Sequence, residues 1–323
     1  MHIATSKALL SAIIRSKKPI NFLVGSPMSS RETPQSRGVA SVSEIVLMIE
    51  NLIKKEGLFD IYSEEITTKN TTELYQEGFD FLKNHLSQDD VNDIIHEAVL
   101  KAYDEKDGWH IPSGLDALCK TISENNLKVQ SIITTNFDPL IEEGLKKYGM
   151  TPLKTILHTD GSINNHSNEV PKGIQVIHLH GFWKDSDTLH TPKQLTSNRP
   201  KLKHSLLNIL RDTTLVVIAY GGWDDIFIES LKDISFDSTA NIDVIWAFYE
   251  NNEEIVNKKY SKLLSGVESI SQRGRFRQYY AIECNEFFSQ LNIQLNISEQ
   301  EKENGEVIKK QAVVFILIRS PRR

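Results

Sequence analysis

Cysteine is scarce in this chain of 323 residues, which contains only Cys119 and Cys284. A structural zinc site usually takes about four Cys or His ligands, and no CxxC pair is present to supply them. We therefore expect no zinc. Two buried free thiols in a reducing compartment are favoured over a single disulfide bond, although both remain open.

Long apolar runs and an excess of positive charge are also missing. The longest apolar run, residues 312–318, is far shorter than the ~20 residues that span a bilayer, and the first residues lack the pattern of a signal peptide. Lys and Arg number 37 against 43 Asp and Glu, for a net charge of -6. Nucleic acid as the main ligand would demand a basic face. We expect a cytoplasmic protein that binds neither membranes nor nucleic acid.

What the sequence does contain is a series of short apolar segments, rich in β-branched residues, that alternate with helical patterns. Strands are predicted at residues 20–24, 129–135, 174–180, 215–220 and 244–248. Helices are predicted at 6–15, 42–55, 72–84, 89–103, 139–148 and 225–232. Apolar strands separated by helices indicate an α/β fold, Rossmann-like, with a mainly parallel sheet covered by helices on both faces.

The domain organisation follows from the same patterns. Residues 1–290 are predicted to form one domain, with a helical insertion at about 60–125. Past residue 288 the pattern weakens and ends in an apolar burst with a basic stub. Residues 291–323 are therefore either a tail or the start of a following region.

Four polar or glycine-rich segments follow predicted strands: GSPMS (25–29), TTNFD (134–138), HLHG (178–181) and YGGWDD (220–225). In parallel sheets, ligands bind beyond the carboxyl ends of the strands. Each segment also has a structural explanation. GSPMS is a phosphate-binding loop or a plain turn, TTNFD a polar site or a helix cap, and YGGWDD a ribose contact or a glycine turn with an acidic cap. The histidines fit a general base, an incomplete zinc pair or core residues. Four such segments at four strand ends predict a site.

The order GSPMS, TTNFD, HLHG and AYGGWDD resembles the sirtuin family, in which a GAG-type loop, a TQNID-type strand end, an ELHG-type histidine and a G-x-S-type turn surround NAD. The resemblance covers residues 21–288, and residues 278–288 are similar to the last strand, near the adenine end of the cofactor. The variant forms look like the bacterial antiphage-defence branch, whose members hydrolyse NAD. The resemblance therefore implies cleavage of the nicotinamide–ribose bond, to give nicotinamide and ADP-ribose or a cyclic derivative.

The resemblance also implies residue roles. Asn136 would hold the ribose and the attacking water, and His180 would be the general base. Asp138 would bind the nicotinamide carboxamide. The cofactor-binding residues would be Gly25, Ser26, Ser29, Thr135, Asp138, Gly221, Gly222 and Asp224. NAD would be the substrate, no zinc would be needed, and a homo-oligomer activated by a sensor domain or partner protein is implied.

Several departures from the family pattern limit these roles. Ser26 and Pro27 replace the usual Ala and Gly, and a proline removes one N–H that could bind phosphate. Ala219 stands where glycine is common, and Gly222 where deacylases have serine. The missing zinc ribbon argues against a protein deacylase. A transferase of ADP-ribose or acyl groups and a non-catalytic nucleotide sensor remain alternatives.

Overall fold

The computed structural model describes residues 2–124, 127–164 and 169–297. Its sheet strands run in parallel in the order β5-β6-β4-β1-β7-β8-β9, and β2 and β3 form a separate hairpin. The strands are β1 Ile20–Val24, β2 Tyr103–Asp104, β3 Gly108–Trp109, β4 Val129–Thr134, β5 Thr151–Ile156, β6 Gly173–His178, β7 Thr214–Ile218, β8 Asp243–Ala247 and β9 Phe276–Tyr279.

Helices cover both faces of this sheet. They are α1 His2–Ile14, α2 Val42–Lys55, α3 Phe59–Glu65, α4 Thr71–His85, α5 Gln88–Leu100, α6 Ser113–Ser123, α7 Leu140–Lys147, α8 Pro192–Leu195, α9 Pro200–Leu210, α10 Ile226–Phe236, α11 Glu253–Lys259, α12 Ser261–Gly266, α13 Glu268–Gln272 and α14, residues 284–297. Because strand side chains alternate, Phe22 and Val24 enter one apolar core and Leu23 the other. The predicted α/β class is confirmed.

The predicted strands and helices lie close to observed ones. Several observed elements were not predicted, among them β5, the β2–β3 hairpin, α9 and α11 to α13. Strand β5 was not predicted, because it is an edge strand that carries Pro152 and Lys154 and therefore lacks a continuous apolar pattern. The interpretation of residues 278–288 as a last strand is wrong for most of its length. Strand β9 ends at Tyr279, and helix α14 begins at 284, where the Glu283 carboxylate accepts hydrogen bonds from the Asn285 and Glu286 N–H groups.

The polar region between β1 and β4 is mostly helical, with the β2–β3 hairpin between α5 and α6. Helix α4 packs against α2, where Gly78 lies close to Ile49. At the other end, α14 passes residue 290 and buries Leu291 and Leu295 in the core. The apolar burst at 312–318 lies outside the described residues.

The order of the strands creates a crevice at one edge of the sheet. Strand β1 lies between β4 and β7, and the chain moves first to the β4 side and later crosses from β6 to β7. Such a reversal of strand order opens a ligand crevice at the carboxyl ends of the strands. No helix in the described part of the chain is long and apolar enough to cross a membrane.

Candidate functional site

A cavity of about 550 Å³ lies at the carboxyl ends of the strands, within the range of roughly 300–1,000 Å³ typical of small-molecule sites. Its wall includes eight of the sequence-predicted site residues: Gly25, Ser26, Ser29, Thr135, Asn136, Asp138, His180 and Gly221. These residues come from the loops after β1, β4, β6 and β7, so the fold brings the four motifs together.

The loop after β1 approaches the end of β7 very closely. A Cβ atom added to Gly25 would lie 2.4 Å from the carbonyl oxygen of Ala219, a distance that no real Cβ contact tolerates. Ala219 itself has a φ of 58°, a left-handed conformation that is costly for any residue except glycine. The strained backbone and the obligatory glycine therefore both lie in the cavity wall.

Ser29 links the first two motifs through its hydroxyl group. Asn136 donates from Nδ2 to Ser29 Oγ over 3.0 Å, and the same hydroxyl hydrogen-bonds the Asp138 carboxylate. This use of Nδ2 leaves the Asn136 side-chain oxygen for a ligand in the cavity. Burial raises the pKa of Asp138, while the Ser29 hydroxyl and the Leu140 N–H oppose that rise.

Asp138 contacts the start of a helix and also lines the cavity. Its Oδ1 accepts a hydrogen bond from the Leu140 N–H at 3.0 Å, at the start of α7, and the residue also lines the cavity. A helix cap and a ligand contact are therefore compatible here.

We expect Asp138→Asn to separate these two roles. Asparagine ranks with aspartate as a cap, so the melting temperature should change little. If the carboxylate accepts the nicotinamide amide N–H, NAD binding or turnover should weaken by about 1.5–3 kcal/mol. Both quantities are measured on one preparation. Unchanged turnover with unchanged stability would leave Asp138 only its capping role.

His180 is held by a buried carboxylate that the sequence did not single out as a site residue. Its Nε2 lies 3.0 Å from Asp225 Oδ2, and the Tyr220 hydroxyl donates to that same oxygen over 2.8 Å. Asp225 Oδ1 accepts the Ile228 N–H at the start of α10. Burial, followed by the charge of Asp225, raises the pKa of Tyr220 well above its usual value, so this phenol remains a donor.

This arrangement fixes the tautomer of His180. A carboxylate that accepts from Nε2 keeps the proton of the neutral imidazole on that atom, and Nδ1 then carries the lone pair. His180 lines the cavity and its side chain is 8% exposed. The arrangement can therefore accept a proton from a ligand or water at Nδ1.

Two predicted cofactor contacts do not reach the cavity wall. Asp224 is exposed and forms an ion pair with Lys262. Gly222 adopts a φ of 66° and faces the side chains of Leu263 and Trp246. The chain turns outward there, and the next acidic residue, Asp225, is buried against His180.

Further cavity residues escaped sequence reasoning. Tyr75 belongs to the helical insertion, and Glu250, Lys259 and Tyr260 follow β8. Glu250 accepts a hydrogen bond from the Tyr260 hydroxyl at 2.9 Å and pairs with Lys259. Lone polar residues outside a motif give no sequence signal. Asp225 did have a sequence signal, because it starts a predicted helix. Its buried contacts with His180 and Tyr220 could not be predicted from that signal.

The described residues contain no group of three His, Cys, Asp or Glu side chains that could hold a metal ion. The His178–His180 pair is divided between separate partners. Both ring nitrogens of His178 are engaged, by the Asn136 carbonyl oxygen and by Glu142.

We expect chelators to leave the protein unchanged. EDTA should alter neither the melting temperature nor any turnover of NAD, since no donor set for zinc is present among the described residues. Elemental analysis of the purified protein provides the check. Stoichiometric zinc, or a clear fall in melting temperature, would contradict the expectation and revive the deacylase alternative.

Comparisons with known proteins agree with this organisation at a coarse level. A family model described as a SIR2-like domain matches residues 130–270, less than half of the chain, and this stretch includes Asn136, His180 and Asp225. No curated protein matches.

Distant similarity to solved structures extends further along the chain. A variant of a Sir2 homologue in complex with ADP-ribose has 12% identity and a TM-score of 0.45, with 91% of this chain and 98% of that chain covered. A Sir2 homologue in complex with NAD has 13% identity and a TM-score of 0.40, with coverage of 90% and 94%.

Proposed function

We propose that this protein is an NAD glycohydrolase that cleaves the bond between nicotinamide and ribose. The observation that carries the proposal is the His180–Asp225 pair, whose histidine lines the same cavity as Asn136. A base with a fixed tautomer and a positioned amide are the groups that water needs for attack at a sugar carbon. The match of residues 130–270 to the SIR2-like model supports the choice of NAD.

The length of the cavity suits a dinucleotide substrate such as NAD. Its wall runs from residues that follow β6 to residues that follow β9, five strand steps apart in the sheet order. At a strand spacing of about 4.8 Å, this distance is roughly 24 Å. The close approach of Gly25 to Ala219 lies between these ends, where backbone N–H groups can contact phosphate.

The chemistry follows from the bond that breaks. Nicotinamide is cationic in NAD and leaves with the electron pair of the C–N bond, through a transition state that resembles an oxocarbenium ion. A water molecule forms the new C–O bond and gives its proton to Nδ1 of His180. Asp225 stabilises the resulting imidazolium. Asn136 orients the ribose and the water through its free side-chain oxygen, and Asp138 binds the carboxamide.

Finer aspects of the function rest on the sequence resemblance alone. They are the role as an effector that depletes NAD in bacterial antiphage defence, the homo-oligomer, and activation by a sensor domain or partner protein. The proposed cytoplasmic location rests on the composition of the sequence instead. A transferase would use the same cavity with a different acceptor, and a sensor would bind nucleotide without turnover.

Release of nicotinamide from NAD tests the proposal. The wild type is assayed over a wide range of protein concentrations, so that assembly-dependent activity is detected, and Asn136→Ala serves as the control. We expect release by the wild type and loss of it in the variant. Free ADP-ribose would identify hydrolysis, and ADP-ribose attached to protein would identify transfer. Tight nucleotide binding without release at every concentration would instead favour the sensor.

A further inference from the structure

A second histidine lies beneath the candidate site. His178 is completely buried, and Glu142 of α7 is 4% exposed. His178 Nε2 lies 2.8 Å from Glu142 Oε1, and His178 Nδ1 lies 2.7 Å from the backbone oxygen of Asn136. The proposed reaction does not use either side chain.

The carbonyl partner determines where the protons of this pair lie. A backbone oxygen can only accept, so His178 Nδ1 must carry a proton. The second ring nitrogen then shares one proton with Glu142, either as an imidazolium beside a carboxylate or as a neutral imidazole beside a carboxylic acid. Asp138 is the other carboxyl group that faces both residues, and the Cys119 thiol faces Glu142 from α6.

The hydrogen bond from His178 Nδ1 to the Asn136 carbonyl oxygen is one of two that hold the Asn136 backbone. The Asn136 N–H donates to Thr134 Oγ1 at 3.0 Å, and Thr134 Oγ1 in turn donates to the carbonyl oxygen of Val24. With His178 on the carbonyl side, both polar backbone groups of Asn136 are held. The side-chain amide that faces the cavity therefore starts from a fixed backbone.

The His178–Glu142 pair is not explained by a contribution to the stability of the fold. A buried ionisable pair is often no more stable than apolar residues of similar size, because desolvation offsets the attraction. Here the remaining oxygen of Glu142, Oε2, is buried without a hydrogen-bond partner, which adds a cost. A pair that costs stability and contacts the backbone of a cavity residue points to a positioning role.

We propose that His178, oriented by Glu142, is a positioning residue that fixes the Asn136 peptide and thereby aims the Asn136 side chain into the cavity. The proposal rests on the proposed function for its consequence in catalysis. Its structural part, the order of the Asn136 side chain, does not depend on turnover.

The test compares two replacements of the pair. His178→Phe/Glu142→Leu removes both polar side chains together, so neither is left unpaired, and only the Asn136 carbonyl oxygen loses its donor. We expect a melting temperature close to that of the wild type, because removal of the buried pair offsets the loss of this one hydrogen bond. Its kcat for nicotinamide release should fall about 10- to 100-fold, since a small misplacement of a positioning group has that effect, with little change in KM. Glu142→Gln can still hydrogen-bond His178 Nε2, so it should keep kcat within about threefold of the wild type.

A spectroscopic measurement on the free protein makes the result independent of activity. Nitrogen-15 spectra of the wild type should show a protonated His178 Nδ1, assigned by its absence in His178→Phe/Glu142→Leu. The Asn136 side-chain amide should be rigid in the wild type and Glu142→Gln and mobile in the double variant.

These readouts separate the two proposals. A wild type that releases no nicotinamide overturns the proposed function, while the spectra still decide the positioning role. An unprotonated Nδ1, an equally rigid amide in the double variant, or a folded double variant with wild-type kcat would each overturn the role of His178. If the double variant does not fold, two measurements still test the positioning role of His178. They are the protonation of Nδ1 in the wild type and the rigidity of the Asn136 side-chain amide in Glu142→Gln.

Discussion

His180→Ala should lower the rate of NAD cleavage by about 10²- to 10⁴-fold, the usual contribution of a positioned general base. The loss is expected because no other described side chain of the cavity pairs an imidazole with a buried carboxylate. The fold should survive. In this variant Asp225 still accepts hydrogen bonds from the Tyr220 hydroxyl and the Ile228 N–H. The free energy of unfolding should therefore fall by no more than about 1–3 kcal/mol.

The control for this variant is another histidine. His204 is exposed on α9, where it contacts Asn208, and His204→Ala should behave like the wild type in both turnover and melting temperature. Rates are measured at saturating NAD for the three proteins side by side. A His180→Ala rate within twofold of the wild type would remove His180 from the mechanism.

Asp225→Asn should be almost as damaging, by about 10²- to 10⁴-fold, although it changes a single atom. Asparagine still caps α10 through the Ile228 N–H. Its amide nitrogen, however, meets His180 Nε2 as a donor, so the imidazole must place its proton on Nδ1. The lone pair then points away from the cavity and the base is lost, the effect known for the wrong tautomer in a catalytic triad. Turnover and melting temperature are measured together.

The adjacent aspartate provides a matched control. Asp224→Asn removes a charge at the neighbouring position, but Asp224 is exposed and its ion pair among the described residues is with Lys262, so turnover should stay near the wild-type rate. The opposite pattern, with Asp224→Asn impaired and Asp225→Asn active, would contradict the geometry around His180.

The central strands were predictable because each is apolar over most of its length and buried on both faces. Strand β5 was not predicted, for the opposite reason. It lies at the sheet edge with partly exposed side chains, and no apolar run identifies such a strand. The resemblance to the family extended the last strand through residues 284–288, but the Glu283 cap starts a helix there.

The candidate site was predictable as far as the strand ends defined it. Asn136 and His180 follow strands directly, and parallel pairing brings such positions together. The sequence analysis chose Asp224 and missed Asp225, because the position of each depends on where the backbone turns after Ala219, whose positive φ is unusual for alanine. Tyr75 and Glu250 come from elements whose position relative to the sheet is set by tertiary packing.

The measurement that tests the central claim most directly is the balance of products from NAD, followed by chromatography for the wild type and His180→Ala. We expect the wild type to form nicotinamide and ADP-ribose in equal amounts, with NAD lost to the same extent, and His180→Ala to form about 10²- to 10⁴-fold less of both. Intact NAD at every wild-type concentration, or equal product from the two proteins, would contradict the account.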